Sequence, residues 1–398
     1  MLLLENPVRD YAWGAPDGLA GLVGTQPSGG PEAELWVGTH PGAPSVVVGG
    51  EHDGRTLADI VADDPARWLG PDLADAGHTA LPFLLKILAI GRPLSLQAHP
   101  SQEQAVAGFA REDAAGVPID APDRSYKDAS PKPEALIALT PTWAMCGFRA
   151  PIEAANLLAG LGIAGFDPLI EALASGGDDG LRTVLGWLLR LHGSARDEVA
   201  QQVAAAVASV WGDDLDDPRT WVQRLVRTFP GDPTAVAPLL LNVVRLEPGD
   251  AVHLPAGNLH AYLDGAGVEI MAASDNVLRG GLTPKHIDVD ELLSVLRFEP
   301  GVPTAPARTA TEGVTTYDAG ERSFALAAID PSAGPVELLA SAPTLLLATG
   351  GPVTVTQGGQ DLALDHGRAA YLPPSAEPVT ALGSGRLWWG TTGAGLPR

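Results

Sequence analysis

In the stretch LPFLLKILAIGRPLSLQAHP, Leu81–Pro100, Ser95, Gln97 and His99 alternate with Leu94, Leu96 and Ala98. Strand alternation sets a hydroxyl, an amide and an imidazole on one face. Such a row is a solvated edge or one wall of a site, and a lone histidine beside an apolar strand is usually a satisfied structural residue. Two later segments carry comparable groups. In YKDASPKPEALIALT the same alternation puts Lys132 and Glu134 on one face, with Pro131 and Pro133 flanking the lysine as at a strand entry. Alone, that pair reads as a surface ion pair of little worth. Farther on, Gly249, Pro255, Gly257 and His260 follow G-x5-P-x-G-x2-H, whose tight turns let a strand deliver a histidine inward at a barrel mouth. Gln97, His99, Glu134 and His260 together offer an amide oxygen, two imidazoles and one carboxylate, a set that suits a borderline divalent cation, Zn²⁺ first and Mn²⁺, Fe²⁺ or Co²⁺ after it. With one anionic ligand the ion keeps positive charge and acts as a Lewis acid once water or substrate completes its shell.

The charged residues are unevenly used. Of 25 Lys plus Arg only four are lysines, and Lys86, Lys132 and Lys285 fall in or near these segments, while Lys127 reads as incidental. A formal charge of −23 repels nucleic acid and anionic membranes, so an anionic small substrate needs a pocket whose own field is positive. The single Cys146 excludes an internal disulfide framework and fits a reducing compartment. MLLLENPVRD has neither the basic region nor the apolar core of a signal peptide, and no apolar run approaches the roughly 20 residues that cross a bilayer. A cytoplasmic protein without membrane or nucleic-acid partners is expected.

A chain of 398 residues is long for one core, and 47 glycines with 36 prolines suit short strands and turns. The central stretch reads as two buried strands joined at Gly91–Pro93, preceded by strands at Glu34–Gly38 and Ser45–Val48 and followed by a helix at Ser101–Ala110. Between 151 and 238 the spacing is helical, with Leu181, Val184, Leu185, Leu188 and Leu189 on one face and Val199, Val203, Val207 and Val210 on another. Breaks are expected at Ser175–Asp179, Gly193 and Asp213–Pro218, and strands resume at Asn242. Trp13 and Trp36 suit core anchors and ligand contacts equally. The G-x5-P-x-G-x2-H run resembles the second half of the cupin pattern, and Gly367 and Pro373 repeat its start, with Pro378 where the first copy has His260. The expected architecture is mainly β with an α-helical insertion. A cupin (jelly-roll β-barrel) catalytic domain comes from 1–150 and 239–310, a helical domain from 151–238, and a cupin-like barrel without a metal site from 311–398.

YAWG at Tyr11–Gly14, LSLQAHP, KPE, CGFR at Cys146–Arg149, PAGNLHAY and EIMAASDNVLRGGLTPK resemble the type I phosphomannose isomerases over nearly the whole length. Pro131 departs from the family, which often has a histidine there. The resemblance implies one zinc held by Gln97, His99, Glu134 and His260, an essential Arg279, and interconversion of mannose 6-phosphate and fructose 6-phosphate through an enediolate. That chemistry needs a base, for which Glu269 is the first candidate and Asp264 the second; an ion pair with Arg279 is the plainer role for Glu269. Lys132 would orient an oxygen or shuttle a proton. Lys86, Ser95, Lys285 and Arg279 would hold the phosphate. A monomer is expected. The rivals are another metal-dependent cupin enzyme, such as an iron dioxygenase or a different sugar-phosphate isomerase, and a non-catalytic sugar-binding bicupin. Gln97 would block an iron triad's open position, and a complete ligand set argues against mere binding.

Overall fold

A computed structural model describes residues 1–208 and 212–397. The apolar run Phe83–Ile90 forms an eight-residue strand, buried throughout. Both of its edges are taken, one by Glu34–Val37 and the other by His260–Ala272. The second run, Leu96–Ala98, therefore pairs elsewhere, with Leu278–Gly281 and, through Gln97, with His260. The expected side-by-side pair of strands does not form, because the first strand's ladder is saturated and Pro93 in the connection lacks a backbone donor. The Ser95–Gln97–His99 row instead faces His260.

His260–Ala272 is the hub of a ten-stranded sheet, pairing with Thr142–Phe148, Phe83–Ile90, Glu134–Ala138 and Leu96–Ala98. Opposite Thr142–Phe148 its register slips by one: Ala144 faces Tyr262 whereas Trp143 faces Asp264, so Leu263 is extra. An inserted residue reverses which side chains point to each face. His260 and Tyr262 before the slip thus share a face with Glu269 and Met271 after it. Gly265 follows with φ +114°, and a Cβ there would lie 2.5 Å from Thr142 Oγ1 and 2.7 Å from the Pro141 carbonyl.

Period-two alternation sorts the rest. Leu85, Ile87, Ala135, Ile137, Val268 and Ile270 enter a core shared with Leu345, Leu347 and Trp388 of a second, eight-stranded sheet. Burying each large aliphatic side chain there stabilises the fold by about 1.5–3 kcal/mol. The intervening residues, among them Lys86, Glu134 and Glu269, point the other way and line a cavity. The eight-stranded sheet is built mostly from residues 307–391, yet Leu2–Glu5 and Val46–Val48 complete it, although they lie within the 1–150 segment. A four-stranded sheet, Val336–Leu339, Val353–Gln357, Gln360–Leu364 and Pro378–Gly383, shares a second core with it around Leu346, Val355 and Trp389.

The main helices between the two strand-rich parts are Pro151–Ala159, Asp167–Arg190, Gly193–Val207 and Pro218–Thr228. The break expected at Ser175–Asp179 is a kink at Gly177, whose φ is +54°. Leu181, Val184, Leu185 and Leu188 pack with Trp221, Phe148 and, in His260–Ala272, Ala261 and Leu263, which ties the helices to that strand. Val210 of the second helical pattern lies outside the described residues. Strand pairing resumes at Leu241–Leu246, and Ser101 caps the helix Gln102–Ala114 through a capping box. No described helix is long and apolar enough to cross a membrane.

Gly265→Ala should lower the unfolding free energy by about 1–3 kcal/mol, the cost of a strained backbone at a non-glycine residue. A urea titration would show a lower midpoint at unchanged slope; an unmoved midpoint would mean that the register slip does not depend on glycine.

Candidate metal centre

His99 follows the Leu96–Ala98 strand and is fully buried. Its Nδ1 lies 2.8 Å from the Asn276 carbonyl. A carbonyl only accepts, so Nδ1 carries the proton and Nε2 presents a lone pair. Likewise His260 Nδ1 donates to the Asn258 carbonyl at 3.0 Å. Burial, ahead of every charge nearby, lowers the His99 pKa to about 4 and keeps the ring neutral. His99 Nε2 stands 3.4 Å from Glu134 Oε1, and His260 Nε2 stands 3.5 Å from Glu134 Oε2. These are lone pairs facing carboxylate oxygens. Both Nε2 atoms and Glu134 Oε2 are buried without a hydrogen-bond partner, and the three side chains offer ligand atoms all within 4.8 Å of one another. A shared electrophile turns this repulsion into attraction, so the donor set fits a divalent cation.

Gln97 stands opposite both His260 and Arg279 in register, which places its amide on the same face, and it lines the same cavity. Lys132 Nζ is 3.0 Å from Glu134 Oε1 in a buried pair, unlike the surface pair its spacing alone suggests. Burial opposes ionisation of Glu134, but the Lys132 ammonium beside it outweighs that and holds the carboxyl well below its usual range.

Glu269 and Lys86 are cross-strand partners, with Nζ 3.1 Å from Oε2. Glu34 Oε2 lies 3.7 Å from the same ammonium, which also sits 5.3 Å from the Trp36 ring centroid. Burial penalises the Lys86 charge, yet Glu34, Glu269 and Glu134 together raise its pKa above the ordinary lysine value. Burial raises the Glu269 pKa; Lys86 works against this, and Glu134 and Glu34 reinforce it. Lys86 thus engages carboxylates, and the partner of Glu269 is this lysine rather than Arg279. Asp264 is not among the described residues lining the cavity.

Arg279 Nη1 donates to Ser95 Oγ at 3.3 Å, and the Arg279 charge is the first cause of a lowered Lys285 pKa. Ser95, Arg279 and Lys285 therefore form one cationic group in the lining of a cavity of about 900 Å³. Burial lowers the Arg279 pKa. Trp13 and Trp36 both line this cavity, Trp36 donating its indole N–H to Glu34.

Sequence spacing does not reveal several contributors. Asp275 pairs with His40 at 3.3 Å, and that hydrogen bond is the main reason its carboxyl titrates below the usual value. Tyr262 Oη is buried without a partner, and burial, then Glu269 and Glu134, hold its pKa far above the ordinary phenol value. Asn276 is fully buried; its amide accepts from the Lys127 N–H at 2.7 Å and donates to the Asp128 and Ser130 carbonyls at 2.8 Å each. One residue thus fixes the His99 tautomer through its carbonyl and clamps the approach to Lys132 through its side chain. The lone signal for Asp275 and Asn276 is their place inside AASDN, at the end of the strand carrying Glu269; Tyr262 lies in PAGNLHAY, two residues past His260.

A family description, phosphomannose isomerase type I, catalytic domain, matches residues 1–151. Over 393 residues the chain is 37% identical to the mannose-6-phosphate isomerase of Escherichia coli strain K12, covering 97% of this chain and 98% of that one. The Bos taurus mannose-6-phosphate isomerase is 31% identical over 93% of this chain and 92% of its own. Among solved structures, a crystal structure of mannose 6-phosphate isomerase bound with zinc and yttrium superposes at a TM-score of 0.90 with 35% identity, covering 98% of this chain and 99% of that one.

Glu134→Gln removes the only anionic donor, and His260→Ala removes an imidazole. Each should weaken zinc binding by more than about 100-fold, beyond the 10–100-fold cost of losing an outer hydrogen bond. Competition against a chromophoric chelator measures this, and wild-type affinity in either variant would show that the three donors hold no ion.

Proposed function

The chain belongs to the mannose-6-phosphate isomerase family, and from that premise we propose that it interconverts mannose 6-phosphate and fructose 6-phosphate, with one zinc ion per chain. The observation that carries this reading is the convergence of an orphaned His99–Glu134–His260 donor set with a cavity that Glu134 lines together with a lysine-held carboxylate and an arginine–serine–lysine group. A dioxygenase or a passive sugar-binding barrel needs no such combination.

Gln97, His99, Glu134 and His260 would hold the metal, which when bound would supply Lewis-acid positive charge to a developing enediolate. Glu269 takes the proton from C2 of the aldose and returns it to C1. Burial and the neighbouring carboxylates raise its pKa toward the working range of a general base, while Lys86 holds it in place. Lys132, on the Glu134 side of the cavity, orients a sugar oxygen and relays a proton between the oxygens. Arg279 adds a fixed cation beside the developing charge. Ser95, Arg279 and Lys285 take the phosphate, with Arg279 serving both ends of a short, opened sugar chain. Fixing the phosphate keeps that chain in reactive geometry.

The architecture that goes with this reading is a cupin catalytic barrel from 1–150 and 239–310, a helical domain over 151–238, and a second, metal-free cupin-like barrel over 311–398 that borrows Leu2–Glu5 and Val46–Val48. One buried cysteine, its thiol pushed up to about 12 by burial, supports a reducing cytoplasm.

A coupled assay of mannose 6-phosphate against fructose 6-phosphate should lose activity on chelation and regain it with zinc. Glu269→Gln should lower kcat by about 10²–10⁴-fold while the zinc content stays at one per chain. Arg279→Ala should likewise keep the metal and lose turnover; wild-type rates in either variant would remove that residue from the chemistry.

A further inference from the structure

Leu282 has φ +54°, one of two positive values among the described non-glycine residues, and its side chain is almost wholly buried. Left-handed backbone at a bulky residue persists only where its surroundings over-determine it, and it concentrates at ligand clamps. The constraint here comes from the end of the helical segment. The Leu282 N–H is shared between Asp232 Oδ2 and Thr234 Oγ1, each at 3.1 Å. Asp232 Oδ1 in turn accepts from the Thr234 N–H at 2.9 Å and from the Thr234 hydroxyl at 2.6 Å. Asp232 and Thr234 are both buried, and Arg196 approaches Asp232 at 3.7 Å. Gly281, with φ +121°, packs so closely that a Cβ would lie 2.2 Å from Thr234 Oγ1. Immediately after the strained residue, Thr283, Pro284 and Lys285 line the cavity, and Arg279 lies three residues before it.

We propose that Asp232 and Thr234 are positioning residues for phosphate recognition: from the helical segment they lock the Leu282 backbone and thereby aim Lys285, three residues on, at the phosphate. This rests on the reading of Ser95, Arg279 and Lys285 as the phosphate cradle. The helical segment then has a role in affinity, remote from the metal and the base. Both oxygens of Asp232 are used as acceptors, so an amide of the same shape must fail on one side. If Nδ2 replaces Oδ2 it meets the Leu282 N–H donor to donor; if it replaces Oδ1 it meets the Thr234 N–H and hydroxyl.

The test measures KM, kcat, bound zinc and the inhibition constant of inorganic phosphate for Asp232→Asn, Thr234→Val, Thr234→Ser and Lys285→Ala, with melting temperatures as a check on folding. Expected are a roughly tenfold rise in KM and in the phosphate inhibition constant for Asp232→Asn and Thr234→Val. Their kcat should stay within about twofold of wild type at full zinc content, and Thr234→Ser, which keeps the hydroxyl, should behave as wild type. A merely structural role would lower the melting temperature and the active fraction without moving the phosphate constant, and that result overturns the proposal. If Lys285→Ala raises the phosphate constant but Asp232→Asn and Thr234→Val do not, the cradle stands and the positioning role is wrong. If Lys285→Ala leaves it unmoved, the cradle itself is wrong and the inference goes with it.

Discussion

One extra residue in one strand decides what this molecule does with its charges. Strand side chains alternate, so a regular thirteen-residue strand would set His260 and Glu269 on opposite faces. The slip at Leu263 cancels that parity: His260 shares a face with the carboxylate held by Lys86, beside Glu134 and the cavity that Glu134 and Glu269 line, while Val268 and Ile270 still point into the core against the second sheet. The remaining partners follow by register, since Glu269 stands opposite Lys86 and Met271 opposite Glu134. Without the slip, either the core or the site would lose its half of the strand.

Gathering so many ionic groups beneath the surface is costly unless they compensate one another. Glu34, Glu134 and Glu269 stand against Lys86 and Lys132, leaving one uncompensated negative charge, and a divalent ion among His99, Glu134 and His260 reverses the sign. The cluster is therefore built to be completed by a cation. The same bookkeeping explains how a chain of net charge −23 can receive a sugar phosphate. Nearby, the proposed phosphate cradle of Ser95, Arg279 and Lys285 would give the incoming anion a local field opposite in sign to the surface, and wall burial lets that field outweigh more distant, water-screened carboxylates.

Much of the chemistry is legible in the sequence because period two and short turns are local. The Gln97–His99 row, the Lys132–Glu134 step and the spacing up to His260 place all four proposed metal donors without any long-range knowledge. What is illegible is partnership across the chain. Two adjacent apolar runs look like a hairpin until Glu34–Val37 and His260–Ala272 occupy both edges of the first. Nothing local in Leu2–Glu5 says that it will close a sheet made mostly from residues beyond 307. The histidine tautomers depend on backbone carbonyls of Asn276 and Asn258, and a carbonyl has no letter of its own in a sequence.

The lysines show the same division more sharply. Scarcity singles out Lys86, Lys132 and Lys285; all three line one cavity, and so does Lys127, which reads as incidental in the sequence. Composition alone cannot distribute their duties, because an ammonium that binds phosphate and one that steadies a carboxylate have the same sequence signature. Geometry separates them by neighbours: Lys86 has Glu269 at 3.1 Å and Glu34 at 3.7 Å, Lys132 has Glu134 at 3.0 Å, and Lys285 has the repelling charge of Arg279. Only the last retains an electrostatic reason to seek an anion from solution. A lysine held by two carboxylates is already neutralised, and spending it on phosphate would strand Glu269 in a buried site without its counter-charge, at a cost on the order of 3–5 kcal/mol. The proposed division of labour between base support and phosphate capture thus follows from each lysine's neighbours: Lys86 sits within the strand Phe83–Ile90, Lys132 just before Glu134–Ala138, and Lys285 in the turn after Leu278–Gly281.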